Sequence, residues 1–178
     1  MWICFEAYPV DGIILVGTVL TRAHKKKLKE CKVPIVVIGQ YTKETSCVYH
    51  DDYGAAKALA EQVGREASGR VAYIGVTRED KAAGAAREDG FREGLKEVGK
   101  ELEESCLRRA KSPWNQDMSV QKSFCSQTPL IDSLICATDT MAVGGNYLYK
   151  GTGAENSAGY TGCGNWRQFF WQNKLNQS

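Results

Sequence analysis

The sequence predicts an α/β protein built on mostly parallel sheets, and three observations carry that expectation. Short aliphatic runs at Val10 to Val16, Ile35 to Ile38 and Arg70 to Val76 are nearly continuous, not alternating, as strands covered on both faces should be. Polar stretches with helical spacing separate these runs, so strands and helices alternate along the chain. The third observation is Ser133 to Gly145, SLICATDTMAVGG. There an apolar run stops at Thr138-Asp139-Thr140 and a helix is expected at once from Met141. That arrangement puts the Asp139 carboxylate at the carboxyl end of a parallel strand, the edge at which open α/β sheets bind ligands.

The first strand, from Val10 to Val16, is followed by a polar, helix-friendly stretch from Thr18 to Cys31, with Leu20, Leu28 and Cys31 available to a core. Pro34 opens the next strand, Ile35-Val36-Val37-Ile38, which Gly39 ends. Strand, helix and strand in about thirty residues make a βαβ unit with a right-handed crossover. Ser46 to Tyr49 is a short β-prone piece. Asp51-Asp52 are N-cap candidates for an alanine-rich helix from Tyr53 to Glu66, where carboxylates meet the positive end of the helix dipole. Gly69 closes that helix before the strand RVAYIGV. From Ala82 to Val98 a helix is expected with Phe91, Leu95 and Val98 on one stripe and Gly99 as its stop. Ser112 to Gln127 has no clean period, Gly151 to Gly159 reads as a loop, and the aromatic-rich residues after Asn165 are unassigned.

Composition narrows the function. With 23 basic and 21 acidic residues the formal charge is only +2, which is not the footprint of a free-standing nucleic-acid binder. The one dense basic run, Lys25-Lys26-Lys27, reads as a solvated helix face. Seven scattered cysteines without a C-x-x-C, beside only His24 and His50, point to reduced thiols in a cytoplasmic protein and to no metal site. No apolar stretch is long enough to cross a membrane, and no export signal precedes the first strand. The motifs G-x-x-x-x-G-K-[ST], H-E-x-x-H and G-x-S-x-G are absent, and neither Cys136 nor Cys163 has a histidine nearby in sequence. The expectation is therefore no enzyme and no cofactor.

Taken in order, VDGIIL, VPIVVIG, the Asp51-Asp52 helix start, GRVAYIGV, REDGFREGL and LICATDTMAVGG resemble the effector-binding core of LacI/GalR-type transcriptional regulators, from about Tyr8 to Leu148. The resemblance implies a periplasmic-binding-protein type I-like fold, two Rossmann-like α/β subdomains with a small polar effector, sugar-like, in the cleft. It implies ligand contacts at Arg87, from the motif R-x-x-G-F, and at Thr138 and Asp139. Asn165 stands near a later strand end that carries a cleft residue in the family, and Asp51 is a cap candidate that could also reach ligand. The family usually has asparagine where this chain has Thr138. A hydroxyl still bonds a sugar but lacks the amide's paired donor and acceptor.

Residues 1–45 are expected to be the remainder of the first subdomain, 46–165 the second subdomain, and 166–178 an unassigned tail. The strand–helix units that precede VDGIIL in the family, its helix-turn-helix and its C-terminal crossover are not recognisable, so the sequence reads as a truncated core. On that reading operator DNA is engaged only through a helix-turn-helix domain absent from the chain, and the intact regulator is a homodimer off the membrane. A solute-binding protein of a sugar transport system is the alternative on the same fold.

Overall fold

The computed structural model describes residues 10–16, 19–110, 131–138, 141 and 167–169. They divide after Asp51 into two compact units.

The first unit is a three-stranded parallel sheet in the order β1-β2-β3, with β1 at Ile13–Val16, β2 at Ile35–Ile38 and β3 at Ser46–Val48. Helix α1, Arg22–Glu30, links β1 to β2 and starts in a capping box: Thr21 Oγ1 accepts from the His24 amide while His24 Nδ1 accepts from the Thr21 amide. Ile13, Leu28, Ile35 and Val37 form the buried core on one face. Pairing alternates along the strands, so Ile14, Val16 and Val48 lie on the other face, 72%, 75% and 63% exposed. Strand β3 pairs with β2, and the first unit ends at Asp51.

The second unit is a four-stranded parallel sheet in the order β5-β4-β6-β7. Strand β4 is Arg70–Val76, β5 Leu107–Ala110, β6 Ile131–Cys136 and β7 Arg167–Phe169. Strand β4 is buried on both faces from Val71 to Val76, as is the Ser133 to Cys136 part of β6, which is why VAYIGV and Leu134-Ile135-Cys136 read as apolar runs. Two findings extend the expectation. Strand β5 lies in a stretch without a clear strand pattern, and β7 lies in the unassigned tail.

Helices α2, Asp52–Glu66, and α3, Arg87–Glu97, pack on this sheet. A π-helical turn, Lys81–Ala86, precedes α3, so the helix expected from Ala82 to Val98 is two segments of different winding. Asp80 caps the turn, its Oδ1 accepting from the amides of Ala82 and Ala83, and its carbonyl accepts from Ala85 across the wide turn. Gly99, at φ 73°, ends α3: its amide donates to the Lys96 carbonyl and that of Lys100 to Leu95. In the core Tyr73 stacks on Phe91 with ring centroids 4.9 Å apart, worth about 1 kcal/mol beyond the area the pair buries. Among the described residues, Cys31, Cys47, Cys106 and Cys136 form no disulfide.

Candidate functional site

The site is set by how closely α2 and α3 approach. A Cβ on Gly90 would lie 2.2 Å from the Tyr53 carbonyl oxygen, and one on Gly94 2.2 Å from that of Lys57. One on Gly64 would meet Val98 and Leu95. These contacts advance together along both helices, so the two run parallel and their N-termini sit side by side. Glycine at 90 and 94 is what lets the backbones touch. The carboxyl ends of the parallel strands β4 and β6 lie at the same end, where ligands meet such sheets.

At that edge Arg87, the first residue of α3, is brought to Asp52, the first residue of α2. Arg87 Nε donates to Asp52 Oδ1 at 2.7 Å, and an Nη donates to the carbonyl of Ala137, just past the end of β6. Asp52 is buried and the Arg87 side chain only 15% exposed, so the pair is held in a poorly solvated setting. The neighbouring Thr138 is half-buried and its Oγ1 accepts from the Met141 amide, at 3.4 Å.

Glu88, one residue on, turns to the opposite side of the same edge. It is buried and accepts from three guanidiniums: Arg109 at 2.6 and 2.7 Å, Arg78 at 3.1 Å and Arg92 at 3.3 Å. Arg78 also makes a two-pronged contact with Asp89, both distances 2.8 Å, and Arg92 reaches Glu104 and the Leu102 carbonyl. Burial alone pushes the Glu88 carboxyl up, but Arg109, Arg92 and Arg78 together outweigh it and hold the group below its ordinary value. Burial drives the Tyr73 hydroxyl far above its ordinary value, and that hydroxyl has no hydrogen-bond partner among the described residues.

Of the residues singled out from sequence, the structure therefore brings Arg87 and Thr138 to one sheet edge. Asp51 is exposed and is the last residue of the first unit, while its neighbour Asp52 takes the arginine. Asp139 and Asn165 lie outside the described residues. Sequence reasoning missed Asp52 as a partner of Arg87 and missed the Glu88 cluster. The only signal was an unbroken Arg-Glu-Asp run opening a helix. No group of three or more potential metal-ligating side chains occurs among the described residues.

An edge of this kind, a parallel sheet whose carboxyl end gathers helix N-termini and a fixed guanidinium, defines a class of small-molecule-binding α/β domain. Residues 5–163 match the family of periplasmic binding proteins and the sugar binding domain of the LacI family, and the chain belongs to that family. It is 27% identical to the sucrose operon repressor of Staphylococcus xylosus over 139 residues, 78% of this chain and 42% of that protein. It is 26% identical to the HTH-type transcriptional regulator TreR of Escherichia coli over 142 residues, 79% of this chain and 43% of that one. The chain thus spans less than half the length of these relatives. Among solved structures, transcription regulator CcpA of Lactococcus lactis superposes with a TM-score of 0.72 at 23% identity, covering 85% of this chain and 56% of that chain. The CelR–cellobiose complex superposes at 0.70 and 22% identity, covering 81% and 45%. The periplasmic-binding-protein-like fold is therefore established.

Proposed function

We propose that this chain is the effector-binding part of a LacI-type transcriptional regulator and that its second unit contacts a sugar through Arg87 and Thr138. The observation that carries this reading is the Arg87 guanidinium, fixed at the carboxyl edge of the sheet by Asp52 and the Ala137 carbonyl beside Thr138. A planar, permanently charged fork suits vicinal hydroxyls, and the threonine hydroxyl both donates and accepts. Asp139 and Asn165 complete the proposed contacts, and Asp51 is the weaker candidate. The chain performs no chemistry on its ligand and uses no cofactor.

Effector binding changes operator affinity only so far as the ligand prefers one arrangement of the intact regulator over another. That regulator is a cytoplasmic homodimer that engages operator DNA through a helix-turn-helix domain. The family also includes periplasmic binding proteins, but the curated relatives are named as repressors and regulators, which favours the regulatory reading. Among the described residues no helix is long and apolar enough to cross a membrane.

The test is a thermal-shift screen of the purified chain against monosaccharides, disaccharides, sugar phosphates and purines, repeated with Arg87→Ala. A rise in melting temperature with one class of sugar, lost in the variant, supports the reading. A cooperative melt that no compound moves overturns it.

A further inference from the structure

Resting on the effector-site reading, we propose that Asp52 is the residue that sets the charge class of the ligand. It positions the Arg87 guanidinium and compensates its charge, so that the site accepts uncharged polyhydroxy compounds and rejects their phosphate esters.

Two features make the Asp52–Arg87 pair a fixed part of the edge. The bond is short, 2.7 Å, between groups that are both largely out of solvent. The helices that carry them are in backbone contact at Gly90 and Gly94, which fixes the backbone positions from which Asp52 and Arg87 reach each other. A ligand therefore meets Arg87 with its carboxylate partner already in place.

The surrounding charge points the same way. Arg78, Arg87, Arg92 and Arg109 stand against Asp52, Glu88, Asp89 and Glu104, and each guanidinium has a carboxylate within bonding distance. The helix N-termini, which otherwise attract anions, carry acids of their own: Asp52 opens α2, and Asp80 caps the turn before α3. A phosphate ester brings a charge of about −1.5 to −2. Seated on Arg87, it would lie next to the Asp52 carboxylate in a setting where like charges are weakly screened. A neutral hydroxyl draws no such penalty.

Calorimetric titration of the 178-residue chain with glucose, sucrose and cellobiose, and with a monophosphate ester of each, reads this directly. In the wild type the uncharged sugar that binds is expected to exceed its ester by about tenfold or more in affinity. Asp52→Asn keeps an acceptor for Arg87 Nε and removes the charge. In that variant the preference should shrink about tenfold or invert, a change that a merely structural role for Asp52 would not produce.

Tighter binding of the ester by the wild type, or an unchanged preference in a folded Asp52→Asn protein, overturns the proposal and leaves the effector-site reading standing. Should Asp52→Asn not fold, the salt dependence of ester binding to the wild type decides. Affinity that rises with salt shows screened repulsion and supports the proposal, and affinity that falls with salt overturns it. A cooperatively folded wild type that binds none of these compounds overturns the effector-site reading, and the proposal with it.

Discussion

Arg87 and Glu88 are adjacent in sequence yet serve opposite sides of one sheet edge, because successive residues of a helix point about 100° apart. Glu88 is the more consequential for stability. Glu88→Gln leaves three guanidiniums around a neutral amide and should cost about 3 kcal/mol in denaturant unfolding. Its folded-state pKa is depressed, so its contribution is fully present above the unfolded glutamate value of about 4.3 and is lost as pH falls through the lower folded value. Stability of the wild type should therefore decline steeply below about pH 4.3, and the decline should be shallower in Glu88→Gln. Tyr73→Phe makes the contrasting case. It removes a buried hydroxyl that has no partner among the described residues, so the melting temperature should stay level or rise slightly.

At the scale of elements, the parallel approach of α2 and α3 decides the site. Gly90→Ala or Gly94→Ala would drive a methyl into a neighbouring carbonyl oxygen and should destabilise by about 3 kcal/mol in chemical denaturation. Gly84→Ala should behave alike, since its Cβ would press on the Thr77 carbonyl beneath the π-helical turn. The element pattern was largely legible in the sequence. Gly39, Gly69 and Gly99 lie close behind the elements they were expected to close, and α2 begins within a residue of Tyr53. The π-helical turn was not legible, because KAAGAA suits either winding and the choice depends on the Asp80 cap and the room at Gly84. Strand β5 was missed because Leu107-Arg108-Arg109-Ala110 carries two arginines. Arg109 serves Glu88, a partner that local spacing does not reveal.

For the whole molecule, the two units differ in what they bury. Among the described residues the core of the second unit has 19 buried apolar residues and that of the first has four. Amide hydrogen exchange should accordingly be slowest in β4, β6 and α3, and markedly faster throughout β1, β2 and β3. Equal protection in both sheets would show that the small core is not what limits the first unit. The sequence by itself determined the fold class and the order of most elements, because periodicity, glycine stops and strand-end polarity are written locally. Only the tertiary structure decided that Asp52, not Asp51, meets Arg87, and that Glu88 is a buried hub for three arginines. Those partners lie up to 35 residues apart in sequence, and the packing of two parallel helices on one sheet is what brings them within bonding distance.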